Sequence, residues 1–412
     1  MNRNNIEPIA KPSGLAIVTL IIGNGLAEAT FGSRVMDLES ALGTTPTGIS
    51  LAIASFTAGL LFGSLIYRRL LATRGRRACL LLGVPLFFVP LPLLGAIVLL
   101  PHAVAFPLTV ALWSVAGTGC GLVDPTAVLH AADYAKATGN QDVQAFQSTG
   151  LFAVAFAAGF GWWAVNHEFP LWAHFTIIGL PTFALTMIAA ARLPNGPGED
   201  APTDNRTTGP AITYRRLMLL GAMNAGVIVI LGACLNWGSS YFIELGGGPL
   251  FAGLGTVVFA VFQGVMMLVS RAMTSRTSVM RAVAIGVSIA VAGCGLLGIV
   301  ALGHALAGGS LVLLVIAAVG FALLGGGSAA IPGFVQQAVV NVSVGSMSVG
   351  QRLGTVVILQ YTGQNLAPVA LGLMVSSIGV TNGFAVLAGV CLLTLLLGWP
   401  LLRFAELRAL AR

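Results

Sequence analysis

Residues 282–351 contain no Asp, Glu, Lys or Arg, and beyond Arg352 the same is true of 353–402. A helix crosses the hydrocarbon core of a bilayer, roughly 30 Å thick, with about 20 apolar residues, so these two stretches alone have room for several crossings. Neither stretch alternates polar with apolar residues in the period of two that a transmembrane β-barrel needs. The rest of the chain has the same character. Lys and Arg number 20 and Asp and Glu 13 among 412 residues, 8 % in all, against roughly 25 % in a soluble domain. So few charges cannot cover a water-facing surface, and the expected fold class is all-α, a polytopic membrane protein.

Apolar blocks bounded by charge, Pro or Gly predict twelve spans. They begin near Leu15, Gly48, Ala78, Phe106, Ala145, Leu171, Leu217, Leu250, Ala282, Gly309, Leu353 and Asn382. The net charge of +7 would suit nucleic acid, but its placement indicates membrane topology instead. With both termini in the cytoplasm, every Lys and Arg except Arg34 falls in a cytoplasmic segment, the segregation expected of an inner-membrane protein. The basic residues gather above all at Arg68, Arg69, Arg74, Arg76 and Arg77 between spans two and three. No cleavage pattern follows span one, so that span is expected to remain in the membrane.

Between spans six and seven the chain turns rich in Pro, Gly and acid, from Pro194 to Pro210, as a solvated linker does. The expected organisation is a six-helix bundle over 1–192, a cytoplasmic linker over 193–213 and a second six-helix bundle over 214–412. A faint repeat supports the halves. Gly63, Arg69 and Arg74 are echoed by Gly264, Arg271 and Arg276, and Gly121 with Pro125 by Gly327 with Pro332.

Two six-helix halves with a basic Gly/Arg element after spans two and eight resemble the major facilitator superfamily. Gly63, Arg68 and the string Arg74-Gly75-Arg76-Arg77 are similar to the loop 2–3 signature of that family, with Tyr67 where the family carries an acid. Trp113 stands where the family has its span-four arginine, and span five lacks the Gly-Pro signature of proton antiporters. Arg34-Val35-Met36-Asp37, Asn236-Trp237, and Tyr361, Gly363, Pro368 and Gly372 are similar to a branch of inner-membrane members near sugar permeases. The resemblance implies two pseudo-symmetric bundles and alternating access to a site between them.

An ionisable group deep in a bilayer is costly, which makes it a functional candidate. Glu28 lies about 20 Å along span one at ~1.5 Å per residue, with Asn24 one turn away on the same face. A carboxyl at that depth suits the carriage of a coupling proton; a hydrogen-bonded structural acid is the alternative. Asp124, on one stripe with Trp113, Gly117 and Cys120, is either a second proton site or a gate paired with the loop 2–3 arginines Arg68, Arg74, Arg76 and Arg77. Arg34 with Asp37 either closes the outer vestibule or forms a surface pair of little worth.

Span eleven carries Gln360, Tyr361, Gln364 and Asn365, suited to a ligand with hydroxyl or amide groups or to holding helices together. Pro368 follows and is expected to bend the helix. Asn236 with Trp237 offers an amide and an aromatic face, and Gln263 is a weaker polar candidate in span eight. The cysteines Cys79, Cys120, Cys234, Cys294 and Cys391 have no CxxC spacing and read as small buried apolar residues. No metal or cofactor is expected.

These observations predict a secondary transporter, a monomer in lipid whose partners are a small-molecule substrate and protons, with no nucleic acid. Uptake of a polar, sugar-like solute is slightly favoured over export of an amphipathic compound. The chain shows no P-loop, and its histidines are scattered rather than clustered as in a membrane enzyme. The topology is testable with single cysteines in a cysteine-free chain. Asp204→Cys should react with an impermeant thiol reagent only in opened cells, and Glu168→Cys in intact cells; the opposite pattern would invert the assignment.

Overall fold

The computed structural model describes residues 13–138, 143–195, 211–274, 279–329, 331–332, 335, 339, 342–347 and 349–403. Of the expected linker, 196–210 lies outside the described residues, as do Arg3, Lys11, Arg206, Arg276, Arg408 and Arg412. The elements in chain order are α1 (Gly14–Gly32), α2 (Val35–Ala41), α3 (Pro46–Phe88), α4 (Pro90–Ile97), α5 (His102–Thr138), α6 (Val143–Asn166) and α7 (Leu171–Arg192). They continue with α8 (Tyr214–Phe242), a π-helical turn (Ile243–Gly247), α9 (Gly248–Phe251), α10 (Leu254–Thr274), α11 (Val279–Ala307), α12 (Leu311–Ser328) and α13 (Val349–Arg403). Outside these helices, the one isolated β-bridge among the described residues pairs Ala211 with Ser343.

Helix starts follow local chemistry. The hydroxyls of Ser13, Thr45, Thr213 and Ser310 accept hydrogen bonds from the backbone N–H of Ala16, Gly48, Arg216 and Leu313, supplying otherwise unpaired donors of the first turn. Pro46 adds a fixed φ at the first position of α3.

Among the described residues, nine helices are long and apolar enough to cross a membrane, and Leu254–Ser270 is a shorter apolar helix. Two of the nine, Pro46–Ile97 and Gln351–Leu397, hold two crossings each, which brings the total to the expected twelve. Each is divided by one glycine in a conformation other residues rarely adopt: Gly75 at φ 79°, ψ −178° and Gly379 at φ 79°, ψ 166°. Both breaks receive a side chain from elsewhere in the chain. Asn195 accepts from the Arg77 N–H at 3.2 Å. Glu244 accepts from the N–H groups of Val380 and Thr381 at 2.6 and 3.4 Å, where a carboxylate is favoured by the exposed donors of a helix start. The break in α13 is therefore at Gly379 and not at Pro368, through which the first limb runs on as helix.

The two halves repeat each other in three dimensions. A Cβ on Gly117 would strike the Phe56 carbonyl, and one on Gly325 would strike the Phe259 carbonyl. A Cβ on Gly119 would meet the Phe87 N and the Gly83 O, and one on Gly327 the Ala290 N and the Gly286 O. The glycine pairs are both 208 positions apart, and their partners are all 203 apart. The repeat read from Gly63/Gly264 and Gly121/Gly327 is thereby corrected. Gly63 meets Thr118, whereas Gly264 faces Phe152 and Leu151 on α6. The true counterpart of Gly63 is Met266, which packs on Gly326, the counterpart of Thr118. The small residue has changed helices, so the contact survives while the letters do not.

At the end opposite the loop 2–3 arginines, the halves approach closely. Gly32 lies against the Leu235 carbonyl, Gly372 against the Ser50 hydroxyl, and Gly253 against the Trp162 ring. Gly117→Leu and Gly327→Leu should each cost about 1–3 kcal/mol or more by overpacking, seen as loss of monodisperse protein after detergent extraction. Gly295→Ala, with nothing within 4 Å of the new methyl, should behave as the parent chain.

Candidate functional site

Glu28 and Asp124 meet near the middle of the molecule. With Cys120 they form a group whose possible ligand atoms lie within 4.8 Å of one another. Their helices explain the meeting: Asn24 and Glu28 share a face of α1, and Cys120 and Asp124 are likewise one turn apart on α5. Asn24 Nδ2 donates to Asp124 Oδ1 at 2.9 Å, and the Cys120 thiol donates to Asp124 Oδ2 at 3.4 Å. One further bond crosses from the second half: Gln364 Nε2 donates to Glu28 Oε2 at 3.3 Å, and Tyr361 of the same helix lines a cavity with Asp124. The Asn24 Oδ1 is shut off from solvent with no hydrogen-bond partner.

This polar layer stands between two cavities. Toward the loop 2–3 arginines, a space of about 480 Å³ is lined by Ser64, Tyr67, Arg68, Cys120, Asp124, Gln351 and Tyr361 among others, and Gly354 on its wall has no atom within 4 Å of a Cβ position. Toward the opposite end, a space of about 450 Å³ has two unlike walls. The first half supplies Phe31, Phe56, Phe87 and Trp113, and the second supplies Asn236, Gln364 and Asn365, with Glu28 between them. Phe31 and Trp113 are stacked with centroids 4.0 Å apart, and Phe56 lies 5.6 Å from Trp113.

The expected residues divide accordingly. Asn24, Glu28, Trp113, Asp124, Asn236, Tyr361, Gln364 and Asn365 gather in the layer or on a cavity wall. Trp237 does not line either cavity. It is buried, donates from Nε1 to the Pro368 carbonyl at 2.9 Å and packs on Gly372. Gln360 accepts from Asn224 at 2.8 Å, and Gln263 donates to Ser328 at 3.3 Å, so both join helices within the second half.

The gate pairing expected of Asp124 is not formed. Arg76 pairs with Asp133, further along α5, while Arg74 and Arg77 are exposed and Arg68 reaches the cavity wall. Nor is Arg34 on the surface. It is 5 % exposed, pairs with Asp37, approaches His174 Nδ1 at 3.3 Å and donates to the Phe169 carbonyl at 3.0 Å. All of these partners belong to the first half, so Arg34 ties α1 and α2 to α7 rather than one bundle to the other.

Sequence reasoning passed over Cys120 as a polar partner, although its place four residues before Asp124 was the available signal. Phe31, Phe56 and Phe87 carried none, being indistinguishable from core.

No protein-family model matches the chain, and no curated protein matches it in sequence. Solved structures do match in fold. A crystal structure of a D-xylose-proton symporter superimposes with a TM-score of 0.74 at 14 % identity, covering 96 % of this chain and 98 % of that one. The major facilitator superfamily proton:xylose symporter XylE bound to 6-bromo-6-deoxy-D-glucose gives 0.70 at 15 %, with 97 % and 98 % covered. A variant of the nucleoside transporter NupG gives 0.62 at 13 %, with 93 % and 98 % covered. The chain is a multi-pass membrane protein with the major facilitator fold, two pseudo-symmetric six-helix bundles.

Replacing Arg34 by Ala should lower the melting temperature strongly, since cutting a buried charge network typically costs 3–5 kcal/mol. Asp37→Asn, which keeps a hydrogen-bond acceptor at a 37 % exposed side chain, should cost much less. Equal effects would contradict the latch.

Proposed function

We propose that the protein is a secondary active transporter of a small organic solute, working by alternating access and driven by protons bound at Glu28 and Asp124. The observation that carries this reading is the polar layer itself: carboxyls from the first half, one of them bonded by Gln364 of the second, with a cavity on either side of the layer. The working units are the bundles 1–192 and 214–412, joined by a cytoplasmic linker over 193–213, in the cytoplasmic membrane with both termini inside. The xylose and nucleoside proteins share the fold at 13–15 % identity, which supports a transporter but transfers no solute.

The chemistry needed is modest. A proton reaching Glu28 removes the repulsion between it and Asp124 and takes away the charge that strengthens the Gln364 bond. That weakens a contact between the halves at the moment the charge is neutralised, so occupancy by a proton and the freedom of the bundles to rock are linked. The close approaches at Gly32 and Gly372 hold the solute cavity shut on one side, while Arg68 and Gly354 line the space on the other. One proton moving down ~100 mV yields roughly 2.3 kcal/mol, enough for about 50-fold accumulation of a neutral solute.

The test is transport in proteoliposomes. Glu28→Gln should abolish solute accumulation driven by a pH gradient, a loss of about 50-fold in the accumulation ratio, while exchange of labelled for unlabelled solute continues at saturating solute concentration. Asp124→Asn, which keeps hydrogen-bond partners for Asn24 and Cys120, should weaken the coupling less. A Glu28→Gln protein that still concentrates solute to the parent level would remove the proton role.

A further inference from the structure

The cavity between Trp113 and Asn236 carries more information about its occupant than the relatives do. Its aromatic wall comes from the first half and its amide wall from the second. The orientation of each amide is settled by its partner. Asn236 Nδ2 donates to the Gly232 carbonyl and Asn365 Nδ2 to the Tyr361 carbonyl, both at 2.9 Å. A backbone carbonyl only accepts, so the NH₂ end of each amide must lie there. Gln364 likewise spends its Nε2 on Glu28. In all three amides the oxygen is thus free for a ligand, beside the second N–H of each NH₂ group.

Glu28 adds a further acceptor, since its Oε2 takes the Gln364 bond and Oε1 remains. Among the described residues, no Lys or Arg lines this cavity. The nearest basic group on the same side of the layer, Arg34, is committed to Asp37, His174 and Phe169, and Arg68 belongs to the other cavity. One carboxyl and no basic side chain disfavour an anion, and the free oxygens of Glu28 and of the three amides suit a ligand that brings N–H donors. The stacked Phe31–Trp113 pair and the neighbouring Phe56 supply the flat apolar surface against which a ring or a cation rests.

We propose that this cavity takes an organic ammonium: a protonated amine whose N–H groups face Glu28 and the amide oxygens of Asn236, Gln364 and Asn365, and whose flat apolar body lies on Phe31 and Trp113. The proposal deepens the transporter reading and rests on it for the meaning of the cavity, but not for the binding itself. A neutral polyol would satisfy the carboxyl only through a hydroxyl, with no charge to pair it. A carboxylate would meet Glu28 with no basic side chain beside it.

Three probes with one aromatic body separate the possibilities: phenethylamine, 2-phenylethanol and phenylacetate, each titrated at pH 7 onto the purified full-length protein in lipid nanodiscs, with binding read by calorimetry and by thermal shift. The amine should bind at least about 10-fold more tightly than the alcohol, equivalent to about 1.4 kcal/mol, and the carboxylate should not bind. Asn236→Ala should weaken the amine by several-fold, and Glu28→Gln should bring it down to the level of the alcohol. Equal or tighter binding of the alcohol or the carboxylate, or no binding of any of the three, would overturn the proposal. None of those results touches proton coupling, which the accumulation assay decides separately; a protein that binds the amine but neither accumulates nor exchanges it would instead overturn the transporter reading.

Discussion

A carboxyl group cannot be left unpaired where water is excluded, and this protein places two of them side by side. Each is then obliged to collect hydrogen-bond donors, and those donors come from different helices: Asn24 on α1 and Cys120 on α5 from the first half, Gln364 on α13 from the second. The need to satisfy Glu28 is thus also what stitches the two bundles together at mid-depth. A change in the charge of Glu28 alters a contact between the halves directly, with no intervening chain of residues required. The cavities on either side of the layer follow from the same arrangement, because side chains drawn inward to serve the carboxyls leave space above and below them.

The architecture could be read in the sequence where it depends on local physics. Charge-free lengths show the number of crossings because a bilayer imposes a length, and all twelve expected starts lie within or at the edge of a helix. Residues far apart in sequence supply what was not legible. Gly75 and Gly379 were two glycines among 53; what marks them out is that Asn195 and Glu244 cap the helices that restart there, across 118 and 136 residues. The repeat was visible only faintly for a related reason. Packing conserves the sum of two facing side chains, not either one, so Gly63 on Thr118 can answer to Met266 on Gly326.

The site shows the same division. Asn24 and Glu28 could be placed together because a helix sets residues one turn apart on one face, and the span-eleven amides could be expected near them because polar groups at that depth need partners. Depth along a helix, however, does not say which neighbour the side chain faces. Asp124 therefore looked like a partner for the nearby arginines, yet it turns to Asn24 and Cys120, while Arg76 finds Asp133 instead. Trp237 and Asn236 adjoin in sequence but point to different surroundings, one into packed protein against Pro368 and the other to the cavity.

The halves share a backbone plan and differ in chemistry, and the difference bears on how such a protein can work. By the register of the paired glycines, Cys120 and Asp124 of α5 correspond to Ser328 and Pro332 beyond α12. Ser328 is occupied with Gln263, a neutral pair where the first half has a thiol and an acid. One bundle therefore carries the ionisable groups and the aromatic wall, and the other carries neutral amides whose oxygens and N–H groups respond to them. Here the carboxyls reside on one side of the interface and neutral amides on the other. Neutralising Glu28 would change the attraction between the two bundles, while the packing inside each is left as it was.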